Sequence, residues 1–302
     1  MKIVFFGTHE FATTILQGLI DSPLFDVQLV ITQPDRPVGR KQELQSPPAK
    51  LLAEKYNIQV VQPESLKNYE LPVTDYELSI VAQYGLLIPP HILNAPSHGT
   101  INVHTSLLPK YRGASPIQSA LINGETETGV TIMKTDDGLD TGPILLQKKL
   151  AIEPDDIYTD LDSKLAVLGV QGLYEAIPQY TEGTLKPIPQ DNSQATVCKQ
   201  LSRDDGKIDW DKTSQEIYNL YRGLTPWPGV WTIWKNKRLK LLSVKPSEMN
   251  AHIGQIVVEH DNIFIGCSNG SIKVLKLQLE GSSAVDAKTF LNGHRDLVNT
   301  LL

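Results

Sequence analysis

Cysteine is scarce: in 302 residues only Cys198 and Cys267 occur, without the paired spacing that a disulfide framework or a zinc site needs. Both read as ordinary thiols, as expected in a reducing cytoplasm. No apolar run is long enough to cross a bilayer. The start, Met1-Lys2-Ile3-Val4-Phe5-Phe6-Gly7, carries one charge and a short apolar stretch, which reads as a first strand and not a secretory signal, so no membrane association is expected. Cationic excess is also missing: 28 Lys+Arg against 34 Asp+Glu leave a net charge of −6, which argues against indiscriminate polyanion binding. The first strand-to-helix turn, Gly7-Thr8-His9-Glu10, lacks Gly-x-Gly-x-x-Gly, so no dinucleotide is inferred. His9 and Glu10 there can line a cleft or cap the following helix. No serine or cysteine sits in a nucleophile elbow. The acids Asp136, Asp137 and Asp140 are interleaved with glycine and have no further ligands nearby, so they read as a turn and no metal is expected.

What is present points to two domains. The length exceeds what one core usually fills, and 40% hydrophobic with 21% charged residues is ordinary globular composition. Residues 2–7, 10–20 and 26–32 read as strand, helix and strand, the βαβ opening of an α/β sheet. Further strands are expected at 58–61, 77–82, 128–134 and 144–150, and helices at 49–56, 115–122 and 157–179. This predicts an N-terminal Rossmann-like, doubly wound, mostly parallel sheet. Residues 184–199 lose periodicity around Pro187 and Pro189. After a helix at 214–222, short runs near 230–234, 239–244, 253–258, 263–267 and 272–279 predict a small OB-like β-barrel. The expected division is a domain over 1–183, a linker over 184–206 and the barrel over 207–302. Residues 203–302 hold 13 Lys+Arg against 11 Asp+Glu, the remainder 15 against 23, so a nucleic-acid partner would need local basic patches.

The stretch with most chemistry is Asn102-Val103-His104-Thr105-Ser106-Leu107-Leu108-Pro109. It follows a β-like run, and side chains two apart on a strand share a face, so Asn102 and His104 point the same way. An amide beside an imidazole can stabilise an oxygen gaining negative charge and pass a proton, which suits acyl-type transfer with the nucleophile supplied by a second substrate. Asp140, in Asp136-Asp137-Gly138-Leu139-Asp140-Thr141-Gly142, can fix the ring's tautomer and support its charged form. Spacing alone leaves open that Asn102 and His104 only shape a turn. Arg112 can clamp an anion or be held by neighbouring carbonyls.

A resemblance favours the catalytic reading. Asn-Val-His-x-Ser-Leu-Leu-Pro-x-Tyr-Arg-Gly-Ala-x-Pro-Ile from Asn102 to Ile117, Glu-Thr-Gly-Val-Thr-Ile-Met from Glu127, and Asp-x-Gly-Leu-Asp-Thr-Gly from Asp136 closely resemble the folate-dependent formyltransferases, and among them the branch acting on tRNA. Phe6-Gly7-Thr8-His9-Glu10-Phe11-Ala12 is similar to that family's Gly-Thr-Pro-Glu-Phe-Ala, with His9 where the family has proline. Gln33-Pro34-Asp35-Arg36-Pro37-x-Gly39-Arg40, Tyr84-Gly85-Leu86, Pro226-Trp227-Pro228-Gly229 and Phe290-Leu291-Asn292-Gly293 continue the match.

The resemblance implies formyl transfer from 10-formyltetrahydrofolate to the α-amine of initiator methionyl-tRNA, with Asn102, His104 and Asp140 as catalytic residues. It also implies a folate pocket built by Tyr84, Leu86, Ser106, Leu107, Leu108 and Pro109. The loop between Gln33 and Pro48, with Arg36, Arg40 and Lys41, matches the insertion with which the tRNA branch meets the acceptor stem. This chain continues with Lys41-Gln42-Glu43-Leu44 where the family usually has glycine and more lysine, so Glu43 partly cancels the loop's field. A second cluster, Lys235, Lys237, Arg238 and Lys240, surrounds one hairpin and is either solvated or RNA-binding; Trp227, Trp231 and Trp234 read as barrel core. A monomer is expected. Two other readings stand beside this one: a sugar-nucleotide N-formyltransferase, from which the Gln33–Arg40 insertion and the Asp140 turn separate it, and a non-catalytic RNA-binding protein, which leaves the Asn102, His104 and Asp140 set without purpose.

Overall fold

The computed structural model describes residues 1–39, 42–298 and 300–302. The chain opens with β1 (Lys2–Gly7), buried from Ile3 onward, because a strand covered on both faces needs a continuous apolar run and not an alternating one. In α1 (Glu10–Asp21) Phe11, Ala12, Ile15, Leu16 and Leu19 are buried at helical spacing. There follow β2 (Asp26–Ile31), β3 (Arg36–Val38), β4 (Glu43–Gln45), α2 (Pro48–Lys55), β5 (Gln59–Val61), β6 (Leu78–Ala82), α3 (Pro90–Leu93) and β7 (Thr100–His104). Then come β8 (Arg112–Gly113), α4 (Pro116–Ile122), β9 (Glu127–Lys134), β10 (Ile144–Ala151), α5 (Tyr158–Thr181) and β11 (Val197–Cys198). The C-terminal part holds α6 (Ser214–Leu224), β12 (Val230–Trp234), β13 (Lys237–Ser247), β14 (Ile256–Glu259), β15 (Asn262–Gly266), β16 (Ser271–Leu279), β17 (Val285–Asp286) and α7 (Ala287–Gly293).

The chain divides into two compact units: Met1–Gly113, Glu127–Ala151 and Asp162–Cys198 form the first, and Ala114–Thr126, Ile152–Leu161 and Lys199–Leu302 the second. The first is the expected α/β unit. Its seven-stranded sheet runs β10-β9-β7-β6-β1-β2-β5, with β1, β2, β5, β6 and β7 parallel and β9 and β10 antiparallel. Strand order reverses at β1, which pairs with β2 on one side and β6 on the other. The carboxyl ends of β1 and β6 therefore flank the crevice where open α/β sheets take ligands, and β7 is next in line.

The second unit is an antiparallel sheet in the order β12-β13-β16-β15-β14, with β17 on β16. The five strands read from the sequence are all there, and Trp210, Ile217, Leu224, Trp234, Leu241 and Phe290 share its core. A capping box starts α6: Glu216 N donates to Thr213 Oγ1 at 3.2 Å and Thr213 N to Glu216 Oε2 at 2.8 Å.

The structure departs from the sequence reading in three segments. The stretch read as a plain loop between Gln33 and Pro48 contains an antiparallel ribbon of β3 and β4. Residues 114–126 and 152–161 pack with the C-terminal strands, so the units are not contiguous in sequence. The cause is local. Gly223 lets α6 approach α4 so closely that a Cβ there would meet Ile122 and the Gln118 carbonyl within 3 Å, and Asp155 accepts from Tyr218 Oη at 2.6 Å and Lys245 Nζ at 2.5 Å. Third, the stretch from 184 to 198 does not hang free: it belongs to the first unit, with Ile188 bridged to Ile144 and β11 paired with β8.

Candidate active site

Strand pairing fixes the centre. Asn102 lies in register between Val81 of β6 and Met133 of β9, and His104 opposite Thr131. Both side chains thus leave β7 from one face, as the spacing predicts. His104 is buried, with 6% of its surface exposed. Its Nε2 lies 2.9 Å from the Tyr111 carbonyl oxygen. A carbonyl only accepts, so Nε2 carries the hydrogen and the tautomer is set there. Nδ1 faces Asp140 Oδ2 at 3.6 Å, beyond hydrogen-bonding distance. The tautomer-setting role expected of Asp140 thus falls to the backbone of Tyr111, held at φ 61°. Asp140 Oδ2 accepts from Gly113 N at 2.8 Å, and Asn102 Nδ2 approaches Oδ1 at 3.4 Å. One carboxylate thus stands against the amide, the ring and the β8 backbone. Asp140 itself adopts φ 52°, a left-handed conformation that costs a residue with a Cβ on the order of 1 kcal/mol.

The turn before Asp140 is organised by Asp136, whose Oδ1 accepts from Gly138 N at 3.0 Å and Thr141 Oγ1 at 2.7 Å. Among the described residues no group of three or more His, Cys, Asp or Glu is arranged to hold a metal. Arg112 is buried, and its guanidinium donates to Gln190 Oε1 from Nε at 3.0 Å and Nη2 at 2.7 Å, and to Asn192 Oδ1 at 2.8 Å. It shapes the turn and does not reach for an anion.

The residues expected around a folate divide into two kinds. Tyr84 is 2% exposed and sits in a core cluster with Val4, Phe6 and Ile92; only its carbonyl serves the surroundings, accepting from Thr8 Oγ1 at 3.0 Å and Gln33 Nε2 at 2.8 Å. Ser106 is also fully buried and donates to the Lys110 carbonyl at 2.6 Å. Leu108 is buried, with Leu107 and Pro109 half-exposed beside it. Thr131 accepts from Leu108 N at 3.1 Å and donates to the Ser106 carbonyl at 2.6 Å, fixing the loop. Leu86 is half-buried, and Leu87, not singled out from the sequence, is 87% exposed. Gln83 at φ 44° and Gly85 at φ 81° turn this loop outward at the end of β6, and Gln83 is tied to Asp162 at 3.1 Å. An exposed apolar side chain at the sheet's carboxyl edge suits a flat heterocycle. His9 is exposed and makes no side-chain cap bond.

Of the cations expected to meet RNA, Arg36 lies in β3 and pairs with Glu64 at 3.1 Å, both exposed; Arg40 and Lys41 lie outside the described residues. The base of that loop is pinned by Asp35, which accepts from Gln62 at 2.7 Å and Lys50 at 2.9 Å; these bonds, Gln62 first, hold its carboxyl below the usual range. In the second unit Lys235 and Asn236 form the turn between β12 and β13, both at positive φ, as two-residue hairpins require. Lys235 pairs with Asp296 and its Nζ stands 4.8 Å from the Trp234 ring. Arg238 lies over Trp231 at 4.0 Å, Lys237 is exposed and Lys240 half-buried. Trp231 and Trp234 are core residues, but Trp227, between Pro226 and Pro228, is 56% exposed, correcting its reading as core. The sequence reading missed Gln190, Thr131 and Thr196, which the chain brings to the site from distant segments with no local spacing to announce them.

Fold and site together define a group-transfer enzyme on an α/β sheet. Residues 1–177 match the formyl transferase family and residues 200–295 match the formyl transferase C-terminal domain, so the chain belongs to that family. Its relatives include the methionyl-tRNA formyltransferase of Caldicellulosiruptor saccharolyticus, 44% identical over 98% of this chain and 97% of that protein. That of Thermodesulfovibrio yellowstonii is 43% identical over 97% and 96%. A solved sugar 3N-formyl transferase shares the fold, with a TM-score of 0.68, 21% identity and coverage of 94% of this chain and 99% of its own.

Proposed function

We propose that the protein transfers the formyl group of 10-formyltetrahydrofolate to the α-amine of initiator methionyl-tRNA, in the cytoplasm, giving the N-formylated aminoacyl-tRNA used in translation initiation. The observation that carries the reading is the meeting of Asn102, His104 and Asp140 on one carboxylate at the end of β7; the near full-length similarity to methionyl-tRNA formyltransferases supports it. The residues act as follows. The amine nitrogen adds to the formyl carbon, the tetrahedral intermediate then collapses with cleavage of that carbon's bond to the folate nitrogen, and the amine's proton ends on the departing nitrogen. Asn102 donates from its amide to the oxygen that gains charge as the carbon becomes tetrahedral. His104, its Nε2–H held by Tyr111, presents Nδ1 beside the same centre, and a proton reaching Nδ1 lies between the ring and Asp140 Oδ2. Asp140 holds that proton's position and orders the water that relays the amine's proton. Leu107, Pro109 and Leu86 line the folate side, with Leu87 against the ring, on loops held from beneath by the buried Ser106, Leu108 and Tyr84. Arg36, Arg40, Lys41, Lys235, Lys237 and Arg238 meet tRNA phosphates.

The test offers the protein 10-formyltetrahydrofolate with methionyl-tRNA and, in parallel, with an amino-sugar nucleotide, and weighs the products by mass spectrometry. A gain of about 28 Da on the methionyl group alone is the expected result. Formylation of the sugar alone would transfer the reading to sugar-nucleotide chemistry, and no product with either would refute it.

A further inference from the structure

Gln190 occupies the stretch that the sequence marks only as an aperiodic linker, yet its amide ties two segments of the centre together. Arg112 can only donate, so the oxygen facing it is Oε1, receiving Nε at 3.0 Å and Nη2 at 2.7 Å. The amide nitrogen must then face the other way, where it donates to the Asp140 carbonyl at 2.9 Å and the Gly142 carbonyl at 2.7 Å. Two lone pairs and two hydrogens are all used, so the amide cannot flip without placing NH2 against the guanidinium and Oε1 against two carbonyls. The segment carrying Gln190 is held at both ends: Ile188 exchanges backbone bonds with Ile144 at 2.8 Å, and β11 pairs with β8, where Gly113 leaves room for the Cys198 carbonyl that a Cβ would strike at 2.3 Å. Between these ends Tyr111 N donates to Thr196 Oγ1 at 2.8 Å, in the residue whose carbonyl sets the His104 tautomer.

We infer that Gln190, oriented by Arg112, is a positioning residue for formyl transfer: its amide clamps the left-handed Asp140 turn so that the Asp140 carboxylate stays against His104 and Asn102. The inference rests on the formyl-transfer reading. Asp140 at φ 52° has no intrinsic preference for that backbone, and the two donated bonds supply one. A shift of about 1 Å in a reacting or supporting group costs on the order of 100-fold in rate.

The variants that test it are Gln190→Glu and Gln190→Met, assayed by formyl transfer to methionyl-tRNA in the full chain. Gln190→Glu keeps the acceptor for Arg112 and loses both donors to the Asp140 turn; Gln190→Met keeps length and loses both. Each should lower kcat between about 10- and 100-fold with KM for the formyl donor changed less than about threefold. In an Asp140→Ala background, where no carboxylate remains to be placed, the same substitutions should cost less than about twofold more. A folded variant with kcat within about twofold of the parent overturns the inference, as does a loss that persists undiminished beside Asp140→Ala. A kcat loss in Gln190→Met but not in Gln190→Glu overturns it too, because the arginine contact alone would then matter. Failure of both variants to fold would assign the side chain to stability and also overturn it. If the parent itself formylates nothing, the functional reading falls; if the parent formylates and the variants match it, only the role of Gln190 falls.

Discussion

The carboxyl edge of the sheet in the first unit and the hairpin end of the second hold polar groups by opposite means. At the sheet edge the groups that matter are buried or half-buried, and their hydrogen bonds go to neutral atoms: His104 to a carbonyl, Arg112 to two amide oxygens, the Asp140 carboxylate to a backbone N–H. At the hairpin the charges are largely exposed and partnered by other charges or by rings, Lys235 by Asp296 and Arg238 by Trp231. Neutral partners fix direction without cancelling charge, which is what a site must do before a reaction begins. Exposed ion pairs fix little and are screened by salt, which under the proposed function would suit a surface that attracts tRNA and lets it go. The first region places atoms; the second shapes a field.

The comparison breaks if the sheet edge tolerates loss of a placed group. Asn102→Ala and His104→Ala should each lower single-turnover formyl transfer on the order of 100- to 1000-fold. Retention of near-parental rates by either variant would mean that the geometry at β7 has no part in the chemistry. Arg112→Ala tests placement one step back. It removes a buried cation and leaves the half-buried Gln190 Oε1 without its two donors, so unfolding in urea should show about 2 kcal/mol less stability at unchanged m. An effect below about 0.5 kcal/mol would mean that solvent already serves that oxygen.

The same contrast explains what the sequence discloses. Asn102 and His104 are legible because a strand's period of two puts them on one face, and the apolar runs of β1, β6 and β7 are legible because buried parallel strands leave no polar alternation. Asp140 is legible only as a turn acid, since nothing local says that β9 returns its loop to the end of β7. Gln190 is not legible at all: its partners lie about 50 and 80 residues away, and a glutamine after two prolines has no pattern of its own. Tyr84 misleads in the opposite direction. The motif Tyr-Gly-Leu marks a loop at the carboxyl end of β6, but the aromatic ring turns into the core while Leu87 faces outward. The non-contiguous units escape a linear reading because the decisive contact, α4 against Gly223, joins segments about 100 residues apart.

At the hairpin the expected effects are smaller and show in salt dependence, not in rate. Replacing Lys235, Lys237, Arg238 and Lys240 together by glutamine should flatten the slope of log Kd against log salt for tRNA by about 0.7 to 0.9 for each phosphate deprived of its cation, with transfer at saturating tRNA unchanged. Singly, Lys237→Gln should matter more than Lys235→Gln, because Asp296 already offsets the latter's charge. An unchanged slope in the fourfold variant would take this hairpin out of the interface.

The smallest effect sharpens the comparison at its weakest point, a polar group in the first unit with no partner. The Tyr84 hydroxyl is buried and unbonded among the described residues, and burial, helped by Tyr69, pushes its ionisation up to about 12. A hydroxyl without a bond contributes nothing that phenylalanine would lose, so Tyr84→Phe should leave stability at neutral pH unchanged or higher by up to about 1 kcal/mol. The pH dependence fixes the sign. An acid whose folded value lies above its unfolded value of about 10 is protonated in both states below pH 10, and its stabilising contribution is complete there. As pH rises through 10 toward 12 the unfolded chain gives up its proton first, and stability falls by at most about 1.4 kcal/mol per pH unit for one group. Denaturation midpoints between about pH 9 and 11 should therefore fall less steeply for Tyr84→Phe than for the parent. If the two curves run parallel, the hydroxyl exchanges with water in the folded chain, and the sheet edge is wetter behind the site than its burial implies.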